Sequence, residues 1–260
     1  MAAPVSAVGH RVARSVALVG ALARFLVETI WAARWVPRAG RRVATKVLFK
    51  QVWFTALQAI PLVIILAAIL SFLVISQATR ELGRLGATEL LGRLMVVVIV
   101  RELGPLLTAL AVAGRSGTAI AAELATNKVM GELNALRAMG IDPLHYHVLP
   151  RLGATILSVF GLIVVFDLVA IFSGLMAATM SGMTSARYFE IVLASLTFHD
   201  VLLTAIKGLI FGVIVGVIPC FRGLSISGRP TEVPIAASQA VVTSIIAIFV
   251  CSGLFVVLLA

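Results

Sequence analysis

Arg101-Glu102-Leu103-Gly104-Pro105 lies inside an apolar run, Leu90 to Ala113, that is long enough to cross a bilayer. An adjacent Arg and Glu at membrane depth are costly, so such residues mark a polar cavity, a paired neighbour or a substrate path. The Gly-Pro pair that follows is expected to break the helix. Broken helices at depth are tolerated only against protein or a water-filled space. The stretch therefore reads as part of a transport pathway inside a polytopic chain, not as a plain anchor.

Composition supports that class. Hydrophobic residues make up 61% of the 260 residues and charged residues 12%, against roughly 25% charged in soluble domains. Mean hydropathy is +1.12. No period-2 alternation argues for a β-barrel, so the expected fold is an all-α polytopic membrane protein. The net charge of +10 would suggest nucleic acid in a soluble protein. Here no stacking aromatics interleave the basic residues, and loop-borne Lys and Arg explain the charge without a nucleic-acid partner. Cys220 and Cys251 fall at different expected depths and read as packed thiols.

Five spans are expected, at about 52–76 (with Pro61 as a kink), 90–113, 152–181, 201–221 and 235–259. They divide the chain into a basic N-terminal segment, 1–50, and a membrane domain, 51–260. The N-terminal segment, the loop 114–151 and the loop 222–234 together hold fifteen Lys and Arg. The opposite loops hold four: Arg80, Arg84, Arg93 and Arg187. The positive-inside rule then predicts a cytoplasmic N-terminus and an outward C-terminus. Ser15–Ala23, ending Ala21-Leu22-Ala23, resembles a signal-peptide core. Cleavage there would send the basic run Arg34–Lys50 outward, against the charge rule. An amphipathic helix lying in the interface fits better, with Arg24, Glu28, Arg34 and Arg38 on one side.

Residues 114–151 are patterned as more than a linker. Gly114-Arg115-Ser116-Gly117 is expected to end the second span, and a cytoplasmic helix follows over about Thr118–Ala138. Gly140 stops it and Asp142-Pro143 starts the next turn. Arg101–Pro105, Ala113-Gly114-Arg115, Ala122-Glu123-Leu124, Glu132-Leu133-Asn134-Ala135-Leu136 and Met139-Gly140-Ile141-Asp142-Pro143, taken in order, resemble the MlaE/YrbE family. These are permease subunits of ABC transporters that move lipids across the Gram-negative envelope or into plastids. The resemblance covers about residues 45–260, with its specific part at 101–151. It implies five spans, an N-terminal interfacial helix and a coupling helix in 114–143 that docks on a cytoplasmic ABC ATPase. It also implies a homodimer in a bacterial inner membrane and an MCE-domain periplasmic lipid-binding partner. A STAS-domain protein is a further candidate partner, and the process implied is phospholipid transport that maintains outer-membrane lipid asymmetry. Where the family has an acidic residue before the position of Glu132, this chain has Gly131.

The chain has no G-x-x-x-x-G-K-[ST] loop, so no P-loop cradle for ATP. No cofactor is expected on the chain itself; the resemblance implies that ATP and Mg are used by the partner and that the chain is a permease subunit, not an enzyme. Glu102 and Lys207, with Arg101 and Leu103 beside them, are the candidate substrate-path residues. Their alternative role is a structural ion pair. Arg101 is expected to face a different neighbour, because it is about 100° around the helix. Glu123, Lys128, Glu132, Arg137 and Asp142 are the ATPase-coupling candidates. Gly208, Gly212 and Gly216 form a stripe for close helix packing, within the chain or between copies. Asp167 is expected to bond a facing Ser or Thr. His145 and His147 lack a third ligand for a metal and read as a solvated or interfacial pair. Two rival functions remain: an ion-coupled secondary transporter using Glu102, Asp167 and Lys207, and a non-transporting scaffold.

Overall fold

The structure, a computed structural model, describes residues 17–31 and 48–259. The described residues form eight helices and no strand. Helix α1 covers 17–31. Helix α2 is Leu48–Arg84, α3 Leu90–Val129, α4 Glu132–Ala138, α5 Leu144–Met180, α6 Ser185–Ser195, α7 Phe198–Leu224 and α8 Val233–Leu259. Helices α2, α3, α5, α7 and α8 are long and apolar enough to cross a membrane. The protein is an all-α polytopic membrane protein.

Small residues and hydroxyls line the inner faces. On α2 the buried residues are Thr55, Ala59, Val63, Ala67, Ser71, Ile75 and Thr79, one stripe at four-residue spacing. Large residues on the other face, such as Ile65, Ile69 and Leu73, are exposed. That inverts the soluble pattern and suits lipid contact. The stripe packs along α5, where Ser71 Oγ donates to Ala170 O at 2.6 Å. Helix α8 follows the same rule, burying Ala236, Ala240, Ser244, Ile248 and Ser252.

Helix α5 packs on α7 through the glycine stripe. A Cβ at Gly212 would stand 2.7 Å from Ile156 Cα, so the two backbones touch only because the side chain is absent. Gly208 faces Ile163 and Gly216 faces Leu152 and Thr155. The stripe is thus occupied by packing inside the chain.

Several expectations about the second span are corrected. Gly104-Pro105 does not break it, and Gly114–Gly117 does not end it. Helix α3 runs through both, by way of π-helical turns at Met95–Leu103 and Ala113–Gly117. A π turn lets a continuous helix absorb a missing donor and the bulk of a proline ring. A similar turn, Trp53–Leu57, precedes Pro61 in α2. The expected helix 118–138 is instead the end of α3, then Gly131 at φ +78, then the short α4. The left-handed turn needs glycine, which accounts for Gly131. Half of the expected cytoplasmic helix is therefore core: Ile120, Ala121, Leu124 and Ala125 are buried, against α7 and α8.

Other corrections concern the ends. Arg80 and Arg84 sit on a longer α2, and Arg93 on α3, not in loops. Helix α6 was not expected. Its Tyr188 hydroxyl donates to Ile171 O at 3.1 Å, and burial raises the phenol above its ordinary pKa, keeping it a neutral donor. In α1, Arg24 and Glu28 pair at 2.9 Å, and Phe25 meets Phe221 edge-on at 5.7 Å. The rest of the basic N-terminal segment up to residue 47, including Arg34 and Arg38, lies outside the described residues. Cys220 and Cys251 are both free thiols.

Candidate functional site

Helices α3 and α7 bring Glu102 and Lys207 together. Lys207 Nζ donates to Glu102 Oε1 at 2.6 Å. The ammonium is 1% exposed, whereas the carboxylate is 25% exposed. Lys207 lies further into its span than expected, because α7 begins at Phe198 and not near residue 201.

The proline explains a second contact. In an α-helix the Arg101 carbonyl would accept from the N–H of residue 105, and Pro105 has none. Lys207 Nζ also donates to Arg101 O, at 3.3 Å. Phe255 of α8 lies beside the same ammonium, its ring centroid 5.6 Å from Nζ, within cation–π range. One lysine thus joins a carboxylate, a backbone carbonyl and an aromatic face.

Arg101 does not face away from this group, contrary to expectation. Its Nε is 3.9 Å from Glu102 Oε1, and its Nη1 is 3.7 Å from Asp200 Oδ1. Asp200 is the residue that sequence reasoning missed. It closes a capping box with Thr197 at the start of α7, accepting from the Thr197 N–H at 3.1 Å. Thr197-Phe198-His199-Asp200 was the available signal, since Thr three residues before an acid opens many helices. The result is four alternating charges on two helices, with half-buried Leu103 beside them. Asp167 stays apart. Its Oδ1 has no hydrogen-bond partner among the described residues and lies over Gly104, 2.6 Å from where a Cβ would stand. The expected Ser or Thr bond is not made.

The coupling candidates separate into two groups. Glu123, still half exposed, and Lys128 are tied to neighbouring helices. Arg151 Nη2 donates to Glu123 Oε1 at 2.7 Å, and Lys128 Nζ donates to Leu224 O at 2.7 Å. Glu132, Arg137 and Asp142 are exposed. Asp142 Oδ1 accepts from Leu144 N at 2.9 Å, and its Oδ2 is 3.2 Å from His145 Nδ1. His147 is not solvated, as expected for the pair, but buried at 6% exposure beside Arg151 at 5%. Among the described residues no cluster of His, Cys, Asp or Glu could hold a metal.

Comparison with known proteins places this arrangement. Residues 48–258 match the family described as Permease MlaE. The chain belongs to the MlaE permease family. It is 30% identical over 213 residues to a probable ABC transporter permease protein of Rickettsia typhi, covering 82% of each chain. It is 33% identical to a probable ABC transporter permease protein of Synechocystis, covering 74% of each. It is also 33% identical to the Arabidopsis thaliana protein trigalactosyldiacylglycerol 1, chloroplastic, over 67% of this chain and 50% of that one. An MlaE-family chain is a membrane permease of an ABC transporter, and such a permease implies a partner ATPase.

Proposed function

We propose that this permease moves phospholipid, as a homodimer whose central cavity presents the Arg101–Glu102–Lys207 group to the lipid. The observation that carries the reading is the Lys207–Glu102 contact of 2.6 Å inside two spans. A buried ammonium with a carboxylate still a quarter exposed offers a polar spot on an otherwise apolar surface. The glycolipid in the plant relative's name agrees with a lipid substrate. Exposed Arg137 and Asp142 would meet the cytoplasmic ATPase, which binds the ATP and Mg. An MCE-domain protein would receive or deliver lipid on the periplasmic side, and a STAS-domain protein could join the complex. The basic end, with the N-terminus, would face the cytoplasm of a bacterial inner membrane, and the C-terminus the periplasm.

The ion-coupled reading would need Asp167 to join the Glu102–Lys207 group, and among the described residues Asp167 makes no ion pair with Lys207. The test is lipid-stimulated ATP hydrolysis by the chain co-purified with its ATPase and reconstituted in vesicles. Glu102→Ala and Lys207→Ala should each lose at least about tenfold, the factor of a charge-assisted hydrogen bond. Unchanged stimulation in both variants would remove the pathway.

A further inference from the structure

We infer a second lipid site: a headgroup pocket for a zwitterionic, ethanolamine-type phospholipid at the basic end of the molecule, remote from Lys207. A cavity of about 680 Å³ opens there between the starts of α2 and α5 and the end of α3. That volume lies within the usual range for small-molecule sites. Its lining includes Lys50, Trp53, Glu123, Glu132, His147 and Arg151.

The hydrogen-bond inventory shows what is missing. A guanidinium only donates, so the 3.1 Å contact of Arg151 Nη1 with His147 Nδ1 makes Nδ1 the acceptor and puts the ring proton on Nε2. His147 Nε2 and Arg151 Nε are then two buried N–H donors, and neither has an acceptor among the described residues. Unsatisfied buried donors are expensive. Two of them in the wall of one cavity call for an acceptor-bearing occupant.

Charge completes the description. Glu123 and Arg151 neutralise each other at 2.7 Å. Lys50 and Glu132 are exposed and form no ion pair among the described residues. The cavity therefore keeps one free cation, one free anion and two spare N–H donors. A phosphodiester meets Lys50 and the two donors, and a primary ammonium meets Glu132. A choline headgroup has no N–H for Glu132, and a glycerol headgroup has no cation for it. Depth agrees, because the apolar part of α2 begins just after Lys50 and Trp53 is 67% exposed, as tryptophans at membrane interfaces are. The site does not require that the bound lipid be transported.

The test uses the full chain in detergent with dihexanoyl phosphatidylethanolamine, phosphatidylcholine and phosphatidylglycerol as probes. Bound lipid is counted by native mass spectrometry. Lys50→Ala and Glu132→Gln, both exposed and harmless to the core, should each weaken the ethanolamine lipid about tenfold. The wild-type chain should prefer that lipid over the other two. Glu102→Ala removes lipid held at the transport group, but the ethanolamine preference that depends on Lys50 and Glu132 should remain in that variant, which separates the pocket from the transport reading. Equal binding of all three lipids, a preference insensitive to Lys50 and Glu132, or a preference lost with Glu102→Ala would each overturn the proposal. So would a cavity that takes no lipid while Lys50→Ala releases a co-purifying protein, since the occupant would then be a polypeptide.

Discussion

Glu102 and Glu123 stand on the same helix, and each is held by a cation more deeply buried than itself. Lys207 is 1% exposed against 25% for Glu102, and Arg151 6% against 51% for Glu123. The partners differ in kind. Lysine is a compact charge that needs a close cage, which Glu102 Oε1, Arg101 O and the Phe255 ring supply. Arginine is a fork, and it spreads over Glu123 Oε1, His147 O and His147 Nδ1. The surroundings differ more. The first carboxylate sits in the apolar middle of two spans. The second is half in solvent and can rehydrate. The difference teaches that similar geometry need not mean similar cost of breakage: the cost follows what remains after one partner is removed.

The sharpest way to break the comparison is Lys207→Ala. It leaves Glu102 without its close partner inside the bilayer, with a loss of about 3 kcal/mol expected for a buried pair. The expected readout is a large drop in thermal midpoint in detergent, together with lost lipid-stimulated ATPase. Gly212→Leu comes next. It forces α5 and α7 apart where a Cβ would meet Ile156 Cα at 2.7 Å, costing about 2 kcal/mol by overpacking. Because α7 carries Lys207 and α5 carries Arg151, it should disturb both clusters, seen as faster proteolysis at both ends. Arg151→Met should cost less, about 1–2 kcal/mol, because Glu123 can turn to water; a midpoint drop equal to that of Lys207→Ala would refute the comparison. Smallest of all is Arg187→Ala. Arg187 pairs with Glu190 at 3.0 Å and Glu89 at 3.2 Å, which raises its already high pKa. It is solvent-exposed, so no measurable midpoint shift is expected.

The five spans were legible because long apolar runs need no tertiary information. The meeting of Glu102 with Lys207 was partly legible, since two opposite charges at depth must find partners. Asp200 was not, because its capping role and its approach to Arg101 depend on where α7 starts. Arg151 and His147 read as loop charge and surface pair, and only the packing of α5 on α3 buries them. The π turns left no trace, for their five-residue bonding has no apolar period of its own. That is why Gly104-Pro105 read as a break and Gly114–Gly117 as an end, when both lie in one unbroken helix.

Those π turns give α3 a phase as well as a length. A residue inserted or removed from an α-helix rotates everything beyond it by about 100°. The turn Ala113–Gly117 lies between Glu102 and Glu123, so it sets the angular offset between the two carboxylates. Removing one residue there would keep Glu102 beneath Lys207 and swing Glu123 off Arg151, changing no side chain at either site. The two ends of α3 are thus tuned to each other by a count of residues, and a single-codon deletion would detune them.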